Sequence, residues 1–307
     1  MTETVVASKV KKLTLFSVLP VQAILNEFES GFVSEPKGKE HLQSLWEKAS
    51  KAYAASGPST RSYATPDDIH PLEGVEGYTR RARFYPPYDS HPFSIASVRI
   101  SRLVTPQITV NVSRAEKRGN VRKGMTEAEL FELAFELKGE PESITRQVVG
   151  MGGNGGSVLF TSYDEDIRLH HPPLYRQIRI NESDSRSPTF ESVCMPVGGG
   201  SPFAAAIRIQ ISPGVFRLVL SNGIHRCYSL ARAGYEWCPL IVVDLAPLEF
   251  PDPFVNMPKS LLLDPAANPP LITDFLNSSV TIPLDYHKVL KTVRLNWNFE
   301  QYATVLK

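Results

Sequence analysis

The chain has 307 residues, a hydrophobic fraction of 42%, a charged fraction of 21% and a formal net charge of +1. That length allows one large domain or a core domain with sizeable extensions, and the composition is that of a folded globular protein. The near-neutral charge excludes a global basic field of the kind that draws a protein to nucleic acid or to an anionic membrane.

Residues 1–56 carry the clearest helical spacing. Val21 to Phe28 and Glu40 to Tyr53 place apolar residues three and four apart, with Leu42, Leu45, Trp46 and Ala49 on one face and Glu47, Lys48 and Lys51 on the other. This arm is expected to pack on its own domain; a homo-oligomer contact is the sharper alternative. The stretch after Lys12 is broken by Ser17, Pro20 and Gln22, and no apolar run reaches 18 residues. Neither a signal peptide nor a membrane span is expected, and the expected location is cytoplasmic.

Gly57 to Ser90, rich in Pro, Ser, Tyr and Arg, reads as an extended connector. Within it, Tyr78 to Tyr85 interleaves arginines with aromatics, a pairing suited to stacking on bases and equally to an ordinary surface strand. Ser94 to Val112 clusters β-branched residues around Pro106, the pattern of two short strands or an edge strand. Thr126 to Leu137 is the best helix: Thr126 and Glu129 form a capping box, and Leu130, Leu133, Ala134 and Leu137 an apolar stripe.

The glycine-rich stretch Gly150 to Ser157 lacks the order of a dinucleotide fingerprint and the Lys-Ser/Thr of a P-loop, so a hairpin turn is expected. Gly198 to Ser201 reads as a flexible loop or a lid. Asp164, Glu165, Asp166, His170 and His171 are close in sequence, but neighbours on an extended chain point to opposite faces, so a solvated loop is expected and no metal set is assigned. Cys194, Cys227 and Cys238 are too few and too unevenly spaced for a disulfide framework or a zinc knuckle. After Leu245 the chain turns Pro-rich, and Pro283 to Leu306, with Trp297, Phe299 and Tyr302, reads as a helix-like tail.

The chemistry concentrates between Val215 and Leu245, VFRLVLSNGIHRCYSLARAGYEWCPLIVVDL. A buried strand leads into Ser221-Asn222-Gly223. A short helix with apolar residues at Ile224, Cys227, Tyr228, Leu230 and Ala231 follows, ended by Gly234, and Leu240 to Val243 forms a second buried strand. A helix that starts at such a turn aims unpaired amides and the positive end of its dipole at it, which makes an anion the natural guest. His225 and Arg226 sit in the first helical turn, beside the oxygens of Ser221 and Asn222. The alternative is a turn that the strand-to-helix junction alone requires.

The run NGIHR, with the strand before it and YSLARAGYEWCPLIVV after it, resembles the signature turn of the ParB/sulfiredoxin-like superfamily. The resemblance covers residues 93–245, about half of the chain. It implies an α+β fold with a mixed-sheet core at 93–245 and an insertion near 140–200, to which the residue pattern adds a helical arm and connector at 1–92 and a Pro-rich extension at 246–307 packed on the core. It also implies a nucleotide site: Ser221, Asn222, Gly223, His225 and Arg226 on the phosphates of ATP or CTP, with Arg99 and Arg102 contributing from the entry strand and Mg²⁺ as the accompanying ion. His225 and Arg226 would then be the catalytic residues of phosphoryl transfer or nucleotide hydrolysis. The pattern departs at Ile224, where sulfiredoxins carry the reactive cysteine, and at Asn222, where kinase-like and nuclease-like relatives often carry an acid. Two further readings stay open, a non-catalytic scaffold in a plasmid, phage or defence assembly and a DNA-binding or nuclease protein. Whether the chain is an enzyme is left undecided.

Overall fold

The computed structural model describes residues 9–15, 17–29, 33–34, 38–82, 91–119, 121–135, 145–152, 155–162, 167–169, 197–199, 203–250 and 257–298. In chain order the elements are β1 (Lys9–Leu15), α1 (Val21–Glu29), α2 (Gly38–Ala54), β2 (Ile69–Pro71), α3 (Glu76–Ala82), β3 (Phe93–Arg99), β4 (Leu103–Val104), β5 (Thr109–Asn111), α4 (Val112–Gly119) and α5 (Glu127–Phe135). They continue with β6 (Thr145–Gly152), β7 (Gly155–Ser162), β8 (Ile167–Leu169), β9 (Val197–Gly199), β10 (Ala205–Ser212), β11 (Val215–Asn222), α6 (Ile224–Ala233), β12 (Trp237–Asp244), α7 (Lys259–Leu263), β13 (Thr281–His287) and β14 (Lys291–Asn298). The class is α+β, as expected. The chain divides into two compact units, one of residues 1–138 and 202–288, the other of residues 139–201 and 289–307.

The larger unit is built on a six-stranded sheet of order β2-β3-β12-β10-β11-β4. Strand β12 runs antiparallel to β3 and parallel to β10, β10 and β11 form an antiparallel hairpin, and β4 lies parallel to β11. This sheet is curled. Arg99, at the end of β3, and Leu103, at the start of β4, are four residues apart and reach at most about 14 Å. A flat sheet would separate those strands by about 19 Å. The short 3-10 turn Ile100–Arg102 therefore joins the second strand of the order to the last only because the sheet bends round on itself.

Side chains alternate between two buried clusters. Leu218 and Leu220 of β11 join one, with Ile95, Val98, Leu240 and Val242, and this cluster packs under α5 and α6; Val219 joins the other, with Ile207, Ile209 and Val104, under residues of α1, α2 and α7. Because both faces are covered, β11 and β12 read in sequence as continuous apolar runs rather than alternating ones. A second, three-stranded sheet of order β13-β1-β5 flanks the core, with Leu13 opposite both Pro283 and Val110.

The smaller unit holds the antiparallel sheet β14-β7-β6 and the pair β8-β9. The hairpin expected at Gly150 to Ser157 is present, with Gly152 opposite Gly155.

Three expectations are corrected. Pro283 to Asn298 is not helical: Thr281–His287 and Lys291–Asn298 are strands, because each has a partner whose ladder outweighs the local spacing, β1 for the first and β7 for the second. Phe299 and Tyr302 lie outside the described residues. Glu76–Ala82 is a helix rather than extended connector, fixed by Tyr78, whose ring meets Phe131 edge-on at 4.6 Å. Val197–Gly199 is a strand paired with β8 rather than a loop. Arg83 to Tyr85, Asp164 to Asp166, His170, His171 and Cys194 lie outside the described residues. No described helix is long and apolar enough to cross a membrane.

Candidate functional site

The turn between β11 and α6 is set by Gly223. It takes φ +92°, a left-handed conformation that L side chains rarely adopt, and a Cβ built there would lie 2.8 Å from Ala204 Cβ. Both backbone conformation and space require glycine. The two residues before it bind the neighbouring strand entry: Ser221 Oγ donates to the carbonyl of Ala205 at 3.1 Å, and Asn222 Nδ2 to that of Phe203 at 2.5 Å.

Arg226 is 7% exposed and points away from solvent. Its Nη1 donates to the carbonyls of Ala134 at 2.8 Å and Leu133 at 3.4 Å, in the last turn of α5. A helix end leaves those carbonyls without intrahelical donors and carries the negative end of the dipole, so a guanidinium there is doubly favourable. The Ala134 carbonyl also accepts from the Ala204 amide at 2.9 Å, so α5, the entry of β10 and the NGIHR turn meet at one oxygen.

His225 faces the other way. Its Nε2 accepts from the Asn111 amide at 3.3 Å. Asn111 in turn caps α4, its Oδ1 accepting from the Arg114 amide at 3.0 Å. Further along, Ser229 Oγ donates to Ala115 O at 2.9 Å and Arg232 Nη1 to Glu116 at 3.0 Å. The contacts advance together along both helices. Thus α4 and α6 run parallel, and their positive ends meet at His225.

Arg99 and Arg102 lie in a different cluster. Arg99 Nε is 2.7 Å from Asp68 Oδ1, its Nη1 pairs with Glu236, and its guanidinium sits 4.6 Å over the Trp237 ring, on which His70 also stacks at 4.3 Å. Arg102 Nη1 donates to the Arg61 carbonyl at 3.0 Å, and its Nε is 3.8 Å from Asp68 Oδ2. These arginines fasten residues 61–70 to the end of β3. The structure thus gathers Ser221, Asn222, Gly223, His225 and Arg226 in one turn and leaves Arg99 and Arg102 outside it.

Under the turn, Cys227 and Cys238 are buried free thiols with their sulfurs 3.9 Å apart. The hydrogen bond with Cys227, and then burial, push the Cys238 thiol well above its ordinary pKa. Cys227 joins the buried apolar cluster, as its place on the apolar face of the helix predicts. Among the described residues no group of three His, Cys, Asp or Glu side chains is placed to hold a metal ion. The residues that sequence reasoning missed are those of α4. The signal was there in Asn111-Val112-Ser113-Arg114, a capping asparagine at the start of a helix.

Compared with protein-family models, curated proteins and solved structures, the chain finds no match.

Proposed function

We propose that this protein binds a nucleotide through its phosphates at the point where α4 and α6 begin, in keeping with the resemblance of NGIHR to the ParB/sulfiredoxin-like signature. The observation that carries the reading is the contact of Asn111 with His225, which brings two helix N-termini to one imidazole. Two like dipole ends side by side repel, and an anion between them turns that repulsion into attraction. First-turn amides lack intrahelical acceptors, so a phosphate oxygen can take them as donors. His225 is the side chain assigned to the ligand, on the imidazole that the Asn111 amide orients through Nε2.

In this reading Gly223 shapes the turn, while Ser221, Asn222 and Arg226 hold it in place from behind. Arg226 contributes charge from beneath rather than a fork on the phosphate. Phosphoryl transfer or hydrolysis would further need carboxylates to hold Mg²⁺, and the binding reading stands without that step.

A second reading is favoured by one observation: the side chains of Ser221, Asn222 and Arg226 all have protein carbonyls as acceptors. On that basis the turn is a structural junction and the protein a non-catalytic interaction module. Thermal unfolding against ATP, CTP, GTP and ADP, with and without Mg²⁺, separates the two. A nucleotide at 100 times its dissociation constant adds about 2.7 kcal/mol, a shift of several degrees. The shift should vanish in His225→Ala. If no nucleotide moves the wild-type melt, the interaction-module reading replaces the nucleotide reading, and the oligomeric mass becomes the next measurement.

A further inference from the structure

Charge is not spread evenly along this chain. Between Val112 and Gly124, Arg114, Lys117, Arg118, Arg122 and Lys123 stand against a single acidic residue, Glu116. That segment is net +4 in a chain of net +1, so the remainder is net −3. The segregation puts a local basic field on a protein that has no global one.

The fold gives this segment a defined shape. It forms α4 and the turn behind it, and the turn is pinned by one side chain: Tyr235 OH accepts from the Met125 amide at 2.6 Å and donates to the Arg122 carbonyl at 2.7 Å. Gly124 supplies the left-handed residue, φ +77°, that closes the loop. Between this turn and the C-terminal halves of α4 and α6 lies a cleft of about 430 Å³, lined among others by Glu116, Val121, Lys123, Ser229 and Arg232. The guanidinium of Arg232 is held by Glu116 and that of Arg122 by Glu129. These are exposed pairs, which contribute little and exchange readily for another anion.

Helix dipoles account for part of the pattern, since Arg118 and Arg232 lie in the last turns of α4 and α6. They do not account for Arg122 and Lys123, which lie beyond both helices on a turn fixed by Tyr235. We propose that this cleft and turn form a docking site for the phosphate backbone of a nucleic-acid strand. The site is separate from the phosphate position at His225, at the opposite ends of the same two helices. A strand is favoured over a small phosphate because Arg122 and Lys123 on the turn and Arg232 of α6 are three exposed cations around one open cleft, more than a single phosphate uses. Lys123 reaches over the cleft, and Arg232 releases Glu116 to take a phosphate in a fork.

The test is fluorescence anisotropy of labelled single-stranded DNA, single-stranded RNA and duplex DNA of about 20 nucleotides, at salt from about 50 to 200 mM. It uses the full chain, the Arg122→Gln/Lys123→Gln double variant and His225→Ala. Wild type should bind at least one strand with steep salt dependence. The double variant should bind it at least about tenfold more weakly at low salt, with a log–log salt slope flatter by roughly 2, one unit per lost phosphate contact. His225→Ala should bind as wild type, which separates this site from the nucleotide reading. Both substituted side chains are exposed, and an unchanged melting curve confirms that the fold is intact. The proposal is overturned if no strand binds at 50 mM salt, or if the double variant keeps the wild-type slope. It is also overturned if ATP or inorganic phosphate, measured by melting shift, depends on Arg122 and Lys123 while no strand binds.

Discussion

The two ends of β11 each carry a buried arginine, and the two are used alike although only one stands in a signature. Arg226, just past the C-terminal end, donates to the last carbonyls of α5. Arg217, near the start, is fully buried: its Nη1 donates to Leu262 O at 2.9 Å and Asp264 O at 2.8 Å, its Nη2 to Ala267 O at 2.7 Å, and its Nε to Ser62 Oγ at 3.2 Å. Both guanidiniums therefore collect backbone carbonyls at or just beyond a helix end, Arg226 those of α5 and Arg217 those of Leu262, Asp264 and Ala267 at and after the end of α7. Burial pulls the pKa of Arg217 below the usual arginine range, yet the carbonyl cradle replaces the water it lost. The contrast with Arg61 is instructive. Arg61 is also largely covered, but it forms a two-pronged pair with Asp274, at 2.6 and 2.8 Å. An arginine inside a motif is thus to be judged by its acceptors, and by that measure Arg226 is closer kin to Arg217 than to a phosphate fork.

The comparison is sharpest at Arg217. Arg217→Met removes four donated hydrogen bonds and leaves buried carbonyls behind, so unfolding in urea should show a loss of at least about 3 kcal/mol. Next comes Gly223→Ala, which adds a Cβ at a left-handed position against Ala204; about 2 kcal/mol is expected. Ala204→Gly in the same chain should restore part of that loss, and a double-mutant cycle with no coupling would remove the packing explanation.

Arg226→Ala should cost less, about 1–2 kcal/mol, because Ala134 O keeps the Ala204 amide as a donor. A cost equal to that of Arg217 would make the two sites energetically equivalent. No cost in the melt, together with a lost nucleotide shift, would break the kinship and return Arg226 to the ligand. The smallest effect belongs to Glu129, whose carboxylate the Thr126 amide holds below its usual pKa, with help from Arg122. A depressed carboxylate stabilises above its unfolded pKa, about 4.3, and that contribution fades as pH falls below it. Glu129→Gln should therefore lower stability slightly at pH 7, leave it unchanged at acid pH where the carboxyl is protonated in both states, and so flatten the acid limb between.

The β11–turn–α6–β12 unit was legible from residues alone, and the reason is physical. Strand burial on both faces, a glycine that nothing can replace and a terminating Gly234, φ +87°, leave distinct marks at fixed positions. The capping box at Thr126 was legible for the same reason: Thr126 Oγ1 accepts from the Glu129 amide, and Glu129 Oε2 from the Thr126 amide. What was not legible depends on partners far away in the chain. Pro283 to Asn298 became strand because β1 and β7 lie beside it. That Arg226 turns towards α5 follows from Ala134, which stands 92 positions earlier. Asn111 and His225 are 114 positions apart, and nothing local to either says that they touch.

The thiols beneath the turn give the molecule a clock. Cys227 belongs to α6 and Cys238 to β12, and a buried sulfur reacts with an alkylating reagent only while those two elements are apart. In a Cys194→Ser background, the rate of thiol labelling under native conditions therefore counts openings of the sheet from its helix. Read across denaturant concentration, that rate separates a local parting of α6 from global unfolding. The two buried sulfurs thus time how often the floor of the turn gives way.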